Sequence, residues 1–513
     1  MFWFQAMLAV VCGAVLSTAL PPVGLWFLFL ALVPLFALVA ASERPRDAFG
    51  LGFWFGLGFF ALYIFWLPNS LSSIFGPVAW AMYPPIVLIC AAFWGLVTWA
   101  SRLIGRRGTG TLWLLPAFWL LMEWGRTQGP LAFPWGSLGY LWLGTPLAQA
   151  ADIAGSYGLS FLTLVIVALI AAPLVPAPQT GDKLFDRSSQ ARGFLPWLGI
   201  PIAIALGVAT FFYGSYKLKQ IPPAPDRQAL LVQGNTDPLG RAQGISNDFE
   251  VYTRLSSAGT AQFPEVSLVV WPEGALLQAD VGPIEGMNGE EARKRLQDSV
   301  NGKTIISGAA VWEGYTGYNR VYGFSGAQVT DKYDKIYLVP FGEGLIFFNA
   351  LKPVYDIVLG WFGFGAYNRL PGKTFDPITT PEVNAAVYVC YESVFPQVAR
   401  NMVKRGGQVL VNISNDAWFG SGDGAEQHFL MGTMRAIETR RYLLRAGNDG
   451  ITAVINPLGQ VLERLERRIE GTLVGDYAIV DGLTFYVRFG DGLIWVVAAY
   501  AVVVGVMLGF RRD

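Results

Sequence analysis

Residues 385–392 read Ala-Ala-Val-Tyr-Val-Cys-Tyr-Glu, an apolar run that ends on a cysteine and a glutamate. A run of this length predicts a buried β-strand, and α/β sheets place their chemistry just past the carboxyl ends of strands. A lone cysteine in such a run is by default a packing residue. However, Cys12 and Cys90 lie in much longer hydrophobic stretches, which leaves Cys390 as the only cysteine of its half of the chain. Cys390 is therefore either a buried packing residue or a nucleophile.

Similar apolar runs alternate with helical patterns on both sides of this stretch. The predicted strands are Gln228–Gln233, Val266–Trp271, Thr304–Ala310, Val321–Ser325, Ala385–Val389, Val409–Ser414, Thr452–Ile455 and Thr472–Ile479. The predicted helices are Ser246–Ala258, Glu290–Ser299, Pro396–Lys404 and Gln427–Leu444. This alternation is typical of an α/β layered domain, and the segment is long enough to bury a core of its own.

A cysteine nucleophile needs a base that takes its proton, or a cation that lowers its pKa. The only histidine, His428, lies in a helical pattern without an acidic residue at a suitable spacing, so we interpret it as structural. The base would then be a carboxylate. Glu273 follows a predicted strand at a Pro-Glu-Gly corner, where it is either this base or a solvated turn residue.

Lys335 is flanked by aromatic and aliphatic residues in the run Tyr-Asp-Lys-Ile-Tyr-Leu-Val-Pro-Phe-Gly-Glu at 333–343. Lysine side chains are normally solvated at the surface. An ammonium group held in apolar surroundings would stabilise both a thiolate and an oxyanion. Glu343, at the end of this run, would then orient Lys335 or Glu273.

The chain of 513 residues is hydrophobic and poor in charge, with 53% hydrophobic and 14% charged residues. Only 15 of its 74 charged residues lie in residues 1–215, which predicts a lipid-embedded part followed by a globular one. A formal net charge of zero excludes a protein that binds nucleic acid through bulk positive charge. Three cysteines exclude a disulfide scaffold, and one histidine argues against a multi-histidine metal site, so we expect no metal or cofactor.

Eight apolar segments approach the length of about 20 residues that a helix needs to cross a bilayer. They are Trp3–Leu20, Gly24–Ala41, Phe49–Leu67, Trp80–Ser101, Thr111–Trp124, Gly158–Leu174, Phe194–Tyr213 and Gly492–Phe510. Loops on the cytoplasmic side of a membrane are enriched in lysine and arginine. Outside residues 216–490, the loops after the second, fourth and sixth segments and the C-terminal tail contain all lysines and arginines except Arg126, namely Arg44, Arg46, Arg102, Arg106, Arg107, Lys183, Arg187, Arg192, Arg511 and Arg512. This asymmetry predicts cytoplasmic termini and an exported globular domain.

Two features of the apolar part leave alternatives open. Leu131–Ala150 is apolar but rich in glycine and proline, so we favour a re-entrant or interfacial loop over a further span, which would reverse the orientation. Glu123, Arg126 and Asp152 form either a structural polar cluster or a site for a lipid headgroup, because ionisable groups at membrane depth are often functional.

Three motifs in this order resemble those of the nitrilase (carbon–nitrogen hydrolase) superfamily, which uses a Glu-Lys-Cys triad. They are Trp-Pro-Glu at 271–273, Lys335 with the following Leu-Val-Pro-Phe-Gly-Glu at 338–343, and Cys-Tyr-Glu at 390–392. The run Asn-Ile-Ser-Asn-Asp-Ala-Trp-Phe-Gly at 412–420 and the apolar segments at both ends narrow the resemblance to the apolipoprotein N-acyltransferase family. The resemblance covers nearly the whole chain.

This resemblance implies an α/β fold in which a multi-span helical membrane domain of about eight transmembrane helices carries an extracytoplasmic, nitrilase-like α-β-β-α sandwich. The implied domains are 1–215 with seven spans, 216–490 as the catalytic domain, and 491–513 with the last span. The implied location is the bacterial inner membrane. The implied partners are a phospholipid acyl donor, typically phosphatidylethanolamine, and apolipoprotein acceptors. Apart from the resemblance, the net charge predicts no nucleic-acid partner, and a monomer is the simplest expectation because no interface signature stands out in the sequence.

The resemblance also implies a two-step acyl transfer. Cys390 would take the sn-1 acyl chain of the phospholipid as a thioester and pass it to the α-amine of an S-diacylglyceryl-cysteine. Glu273 would act as general base and acid, and Lys335 would stabilise the oxyanion. The supporting residues would be Glu343, Tyr391 and Glu392.

Several aromatic residues near the motifs are candidates for substrate binding. Residues 344–368 form a glycine-spaced aromatic segment, which we interpret as a mobile loop that dips into the membrane interface rather than as ordinary core. The substrate-binding candidates are Phe347, Phe348, Trp361, Asn415, Trp418 and Phe419.

Two other functions fit parts of the sequence. A membrane-anchored amidase or nitrilase would use the same triad and pass the acyl group to water, although an anchor needs one span rather than eight. A transporter or membrane scaffold would explain the spans, but they show no inverted repeat and no chain of buried charges. Release of free fatty acid without acylated lipoprotein would favour the first, and an active Cys390→Ala variant would favour the second.

Overall fold

The computed structural model describes residues 2–175, 195–220, 222–237, 248–277, 287–363 and 365–509. Some sequence predictions fall outside these ranges. They are the basic loop with Lys183, Arg187 and Arg192, the start of the seventh apolar segment, the first residues of the helix predicted from Ser246, and the tail with Arg511 and Arg512.

Apolar helices make up the first part of the chain. They are α1 (Phe2–Ser17), α2 (Leu32–Ala41), α3 (Pro45–Tyr63), α4 (Leu67–Phe75), α5 (Ala79–Gly105), α6 (Thr109–Gly125), α7 (Ala151–Ala171) and α8 (Gly199–Leu218). A 3₁₀ helix, Trp26–Ala31, precedes α2 directly. Each of the first seven predicted apolar segments therefore contains helix. Their side chains toward the outside are also apolar, as expected for helices in contact with lipid.

Helix length supports fewer crossings than the eight predicted from the sequence. Among the described residues, three helices are long and apolar enough to cross a membrane: Gly76–Gly105, Pro146–Leu174 and Pro196–Leu218. A fourth is possible in length if α3 and the start of α4 are taken as one span bent by 55°. Phe2–Ser17, Trp26–Ala41 and Gly492–Leu508 are shorter apolar helices.

The segment Leu131–Ala150 contains no long helix of its own, and only its last five residues, Pro146–Ala150, lead into α7 as part of the span-length helix Pro146–Leu174. It forms two short 3₁₀ helices, Leu138–Trp142 and Pro146–Ala150, with Gly136 and Gly144 at positive φ where a side chain would be strained. A lipid-exposed span needs continuous internal hydrogen bonds, which such a segment does not provide. The loop interpretation therefore agrees with the backbone.

Two mixed β-sheets form the second part of the chain. The strands of the first sheet are β1 (Arg227–Gln233), β2 (Leu268–Val270), β3 (Leu276–Leu277), β4 (Thr304–Glu313), β5 (Thr316–Ser325), β6 (Gln328–Asp334) and β7 (Asn368–Arg369), to which β14 (Gly471–Tyr477) is added. Its main order is β14-β1-β2-β4-β5-β6. The second sheet has the order β13-β12-β11-β10-β9-β8, from β8 (Ile378–Thr379), β9 (Asn384–Val389), β10 (Val409–Ser414), β11 (Leu443–Gly447), β12 (Thr452–Ile455) and β13 (Val461–Leu465).

Helices cover the outer face of each sheet. On the first sheet lie α9 (Asp248–Gln262) and α10 (Met287–Ser299), and on the second lie α12 (Pro396–Lys404) and α13 (Gly424–Thr439). Alternate residues of β1 are buried on opposite faces: Leu230 and Val232 pack with α9 and α10, whereas Ala229 and Leu231 pack into the core shared with the second sheet. The predicted layered α/β domain is therefore confirmed, with helices outside and the two sheets inside.

The helix predicted from Gln427 to Leu444 is wrong at its C-terminal end. α13 ends at Thr439 because Arg440 takes a left-handed conformation (φ 53°), and Leu443–Gly447 is the strand β11. A continuous apolar pattern in the sequence did not distinguish the end of the helix from the buried strand that follows it.

The loop predicted over residues 344–368 contains a helix, α11 (Phe348–Gly360). The glycines that suggested a loop flank this helix. Within it, Leu351, Val354 and Val358 recur at helical spacing and are exposed. Phe364 lies outside the described residues.

The chain closes with α14 (Phe485–Phe489) and the apolar α15 (Gly492–Gly509), and buried polar contacts join the apolar helices to the sheets. Asp152 of α7 accepts hydrogen bonds from Arg440 Nη2 (2.9 Å) and Tyr213 Oη (2.7 Å). Gln427 of α13 accepts from the indole nitrogens of Trp66 (2.8 Å) and Trp135 (3.1 Å). The two parts of the chain therefore share one continuous polar and apolar interface.

We expect Asp152→Asn to lower the free energy of unfolding by about 3 kcal/mol, because it removes a buried carboxylate and leaves the half-buried Arg440 without its anionic partner. Thermal unfolding of the detergent-solubilised chain measures this. The matched control is Asp356→Asn, which breaks the exposed i,i+4 pair with Lys352 and should cost less than about 1 kcal/mol. Equal effects of the two substitutions would contradict a structural role for Asp152.

Candidate active site

Glu273 lies in the turn that follows β2 in the first sheet, where β4 and β5 of the same sheet approach it. Its carboxylate accepts hydrogen bonds from Asn319 Nδ2 (2.6 Å) and from the backbone N–H of Asn415 (3.0 Å). Gly308 of β4 passes so close that a Cβ there would lie 2.8 Å from the Cα of Glu273. The absence of a side chain at this glycine therefore gives Glu273 its position.

Lys335 directly follows β6 and is only 1% exposed. Its Nζ lies 2.7 Å from Glu343 Oε2 and 3.4 Å from Glu273 Oε1. Burial by itself lowers the pKa of Lys335, but the two carboxylates outweigh this effect and raise the pKa above its usual value. Lys335 is therefore a buried, charged ammonium group.

Glu343 is held by cations and hydrogen-bond donors on both carboxylate oxygens. Arg369 Nη1 (2.7 Å) and Asn319 Nδ2 (2.8 Å) contact Oε1, and the backbone N–H of Val339 (3.0 Å) contacts Oε2. Burial raises the pKa of Glu343, but Lys335 and Arg369 outweigh it and lower the pKa to about 2. Asn319 therefore donates to the carboxylates of both Glu273 and Glu343. The two negative charges are balanced by the cations of Lys335 and Arg369.

Cys390 is the first residue after β9 and has a left-handed backbone (φ 48°), an uncommon conformation for a residue with a side chain. Such strained residues cluster at functional sites. Burial and the negative charge of Glu273 raise the pKa of the Cys390 thiol to about 12, against the opposing charge of Lys335. The thiol is therefore protonated at neutral pH, and a nearby base has to remove its proton before it can act as a nucleophile.

Glu392 connects the loop of Lys335 to the loop of Cys390. Its buried carboxylate accepts from the backbone N–H groups of Ile336 (2.8 Å), Tyr337 (3.1 Å) and Val389 (2.8 Å), and from the Tyr333 hydroxyl (2.7 Å). Backbone donors on both loops therefore meet at one side chain, which fixes the distance between the two loops.

His428 contacts the backbone of Cys390. Its Nε2 lies 2.9 Å from the carbonyl oxygen of Cys390, and its Nδ1 lies 3.4 Å from Asp416, which also pairs with Arg445 (2.8 Å). Burial lowers the pKa of His428, so the ring is neutral. This geometry agrees with a structural histidine, although it has an acidic partner, Asp416, that lies twelve residues earlier in the chain and outside the helix of His428.

Tyr391 and Asn415 lie against the same site. The Tyr391 hydroxyl donates to the Ala132 carbonyl (2.6 Å), and its ring stacks on Trp135 with centroids 5.8 Å apart. Asn415, besides donating its N–H to Glu273, accepts from Asn448 Nδ2 (3.2 Å). The Leu131–Ala150 loop of the apolar part therefore packs directly on the residue that follows Cys390.

The other residues predicted to bind substrate have their described contacts away from Glu273, Lys335 and Cys390. Phe419 packs edge-on against Trp66 (5.2 Å), and the backbone carbonyl of Trp418 accepts from Ser70 Oγ (2.7 Å), so both contact α4 or the turn before it. Phe347 and Trp361, at the two ends of α11, are 76% and 77% exposed, whereas Phe348 is buried. No described contact brings these three to Glu273, Lys335 or Cys390.

Three residues that contact the site lie on strands that carry no recognisable motif, and they were not predicted from the sequence. Asn319 on β5, Arg369 on β7 and Arg445 on β11 carry no local signal, because their partners are distant in sequence. In the described part of the chain, no group of three or more His, Cys, Asp or Glu side chains is arranged to hold a metal ion. The site thus consists of a thiol, an ammonium group and two carboxylates.

Comparisons with known proteins cover both parts of the chain. Residues 12–169 match the apolipoprotein N-acyltransferase N-terminal domain, and residues 242–481 match the carbon–nitrogen hydrolase family. An amidase of the nitrilase superfamily from Nesterenkonia AN1 is 18% identical, with a TM-score of 0.38 over 54% of this chain and 98% of that one.

Relatives that match nearly the whole chain are apolipoprotein N-acyltransferases. The apolipoprotein N-acyltransferase of Geobacter metallireducens is 32% identical over 99% of this chain and 95% of its own length. Those of Nitrosomonas europaea and Azotobacter vinelandii are 30% and 31% identical and cover 99% and 98% of this chain. The chain therefore belongs to the apolipoprotein N-acyltransferase family, with a carbon–nitrogen hydrolase domain that carries the candidate site.

Proposed function

We propose that this chain transfers an acyl chain from a phospholipid to the free α-amine of the S-diacylglyceryl-cysteine at the N-terminus of apolipoproteins. The observation that carries the proposal is the buried group of Glu273, Lys335 and Cys390, in a chain whose full-length relatives are apolipoprotein N-acyltransferases. The reaction needs a nucleophile, a base and an oxyanion donor, and these residues supply all three.

In the first half of the reaction, Glu273 takes the proton of the Cys390 thiol as the sulfur attacks the sn-1 ester carbonyl of the phospholipid. Lys335 donates to the oxyanion of the tetrahedral intermediate. The glycerol oxygen then leaves with the proton from Glu273. The products are a thioester on Cys390 and a lysophospholipid.

In the second half, the α-amine of the lipid-modified cysteine attacks the thioester carbonyl and gives a proton to Glu273. The C–S bond breaks, and the Cys390 sulfur takes that proton back. The products are an N-acylated lipoprotein and the free enzyme. Glu273 thus serves as base and acid in the first half and as base and acid again in the second, so that it ends as the carboxylate with which it began.

Glu343 and its partners support the triad by keeping Lys335 charged. The Lys335–Glu343 pair at 2.7 Å compensates for the burial of the ammonium group, and Arg369 compensates for the second carboxylate. The ammonium group is thereby placed before the substrate arrives, which is the condition for effective oxyanion stabilisation. Glu392 and Tyr391 support Cys390 from the other side.

We further propose the membrane arrangement that both lipid substrates require. Residues 1–215 provide seven spans, 216–490 form the catalytic domain on the extracytoplasmic side of the bacterial inner membrane, and 491–513 provide the eighth. The exposed apolar side chains of α11, with Phe347 and Trp361 at its ends, would lie in the membrane interface beside the site. Phosphatidylethanolamine is the proposed donor, and the chain acts as a monomer.

Incubation of the solubilised chain with phosphatidylethanolamine should add one acyl mass to the peptide that contains Cys390. Lys335→Ala should slow thioester formation by about 10²–10³, the usual effect of losing an oxyanion donor. Lys332→Ala, at an exposed position on β6, is the matched control and should react as the wild type does. Mass spectrometry of the intact chain follows the adduct.

Near wild-type thioester formation by Lys335→Ala would remove Lys335 from the mechanism. An adduct that gives free fatty acid and no acylated peptide would instead indicate a hydrolase.

Alkylation of Cys390 by iodoacetamide should become about tenfold faster per pH unit from about pH 7 to 9, because the reactive thiolate is a minor form below a pKa of about 12. Glu273→Gln removes a negative charge that raises this pKa, so it should speed alkylation at a given pH while it abolishes acyl transfer. Glu265→Gln, at an exposed position, should do neither. A rate independent of pH would show that the thiol is already ionised, contrary to this account.

Cysteines placed at Glu313 and at Glu43 should differ in their labelling by a membrane-impermeant maleimide. Glu313→Cys at the exposed end of β4 should be labelled in spheroplasts, whereas Glu43→Cys in the loop after the second span should be labelled only after lysis. Peptide mass spectrometry identifies the labelled site. The opposite pattern would place the catalytic domain in the cytoplasm.

A further inference from the structure

The ionisable residues of the apolar part are engaged by the protein itself. Glu123 Oε1 accepts from the N–H of Leu138 (3.0 Å), Arg126 donates to the Phe133 carbonyl (2.8 Å), and Asp152 is paired as described above. These contacts favour the structural interpretation of the three residues. A second buried ionisable group lies beneath the proposed nucleophile, and the proposed mechanism does not use it.

This second group consists of Asp416, His428 and Arg445, which are each 1% exposed or less. Asp416 lies in the 3₁₀ turn after β10, His428 on α13 and Arg445 on β11. Nη2 of Arg445 contacts both carboxylate oxygens of Asp416 (2.9 and 2.8 Å). The two charges therefore compensate each other, and His428 is the member of the group that reaches Cys390.

The Nε2 atom of His428 has to carry a proton. It lies 2.9 Å from the carbonyl oxygen of Cys390, and a carbonyl oxygen only accepts hydrogen bonds. The hydroxyl oxygen of Ser393 lies at the same distance from Nε2 and is able to accept as well. His428 thus contacts two residues of the 3₁₀ turn Cys390–Val394.

The Nδ1 atom of His428, in turn, has to be an acceptor. Nη2 of Arg445 lies 3.2 Å from it, and a guanidinium group has donors only. Asp416 Oδ1 is 3.4 Å from Nδ1, but this carboxylate already accepts from Arg445, from Ser414 Oγ (2.8 Å) and from the N–H of Ile451 (2.9 Å). Both ring nitrogens therefore select the same neutral tautomer, with the proton on Nε2.

This contact acts on a strained part of the backbone. Cys390 has φ 48°, and such a conformation persists in a residue with a side chain only where the surroundings hold it. A donor on the Cys390 carbonyl fixes the peptide plane that follows the residue. The direction in which the thiol leaves the turn is fixed with it.

We propose that His428 is a positioning residue, which donates from Nε2 to the carbonyl of Cys390 and thereby keeps the thiol aimed at the substrate carbonyl. The inference rests on the proposed role of Cys390 as nucleophile and goes beyond it, since His428 itself transfers no proton. Loss of the donor should therefore slow the chemical step without weakening the binding of the phospholipid.

The chain contains a single histidine, so its tautomer is measurable without a substitution. The full-length chain, purified without a polyhistidine tag, is labelled with ¹³C,¹⁵N-histidine and studied in lipid nanodiscs by magic-angle-spinning NMR. The nitrogen bonded to Cδ2 is Nε2, and its ¹⁵N shift shows whether it carries the proton. We expect a proton on Nε2 and none on Nδ1. A proton on Nδ1, or on both nitrogens, would overturn the inference whatever the activity of the chain.

Two substitutions separate positioning from packing. His428→Phe keeps a ring against Phe419 (centroids 5.2 Å apart) but has no donor. It should slow thioester formation at saturating phosphatidylethanolamine by about tenfold to 10²-fold, the usual cost of a misplaced reacting group, with the half-saturating concentration unchanged. His428→Gln carries a donor and an acceptor on one carbon, as the Nε2–H tautomer does, and should restore most of the rate.

Ile437→Ala is the matched control, because Ile437 is buried on the same helix against Gly459, more than two turns from His428. It should lower the Tm of the chain and leave the rate of thioester formation unchanged. A wild-type rate in His428→Phe, or an equal loss of rate in His428→Phe and His428→Gln, would overturn the positioning role. A wild-type chain with the expected tautomer that forms no thioester would count against the proposed function alone.

Discussion

The ion pair between Lys335 and Glu343 is the interaction on which the candidate site depends. A lysine that is 1% exposed retains its charge only if an anion lies beside it, and Glu343 does so at 2.7 Å. Glu343 in turn is balanced by Arg369, and Asn319 bridges it to Glu273. Without this pair, Lys335 would lack its nearest anion. Asn319 would also lose the carboxylate that it bridges to Glu273.

Cys390 joins this arrangement through the backbone rather than through side-chain pairs. Glu392 binds the backbone of both catalytic loops, and His428 contacts the carbonyl of Cys390. The resulting thiol is buried and has a raised pKa, so it is protonated at neutral pH, and in the proposed mechanism Glu273 removes the proton. A protonated thiol resists oxidation, because the thiolate is the form that oxidises, and this suits the extracytoplasmic placement proposed above.

The apolar helices form part of the environment of the site as well as its proposed anchor. Tyr391 bonds to Ala132 and stacks on Trp135, and Gln427 bonds to Trp66 and Trp135. The membrane part therefore touches the residues around the proposed nucleophile directly. This contact gives a physical reason for a lipid substrate to reach Cys390 from the bilayer.

The sequence predicted eight of the fourteen strands in the described part of the chain and the motifs that carry Glu273, Lys335 and Cys390, because buried strands and strand-end residues have local signals. Asn319 and Arg369 had no such signal, since their partners are distant in the sequence and only folding brings them near. The Asp416–His428 contact joins the 3₁₀ turn after β10 to α13, a spacing that no helical or strand periodicity predicts. The helix α11 was missed because its flanking glycines suggested a loop, and β11 was missed because it continues the apolar pattern of α13. The count of membrane crossings still rests on composition and charge, since several of the apolar helices are short.

A structure of the full-length chain trapped as its acyl-enzyme would test the central claim most directly. The account predicts an acyl group on Cys390 whose carbonyl oxygen lies about 2.7–3.1 Å from Lys335 Nζ, the distance of an oxyanion donor. An acyl group on another residue, or a carbonyl oxygen that faces away from Lys335, would contradict it.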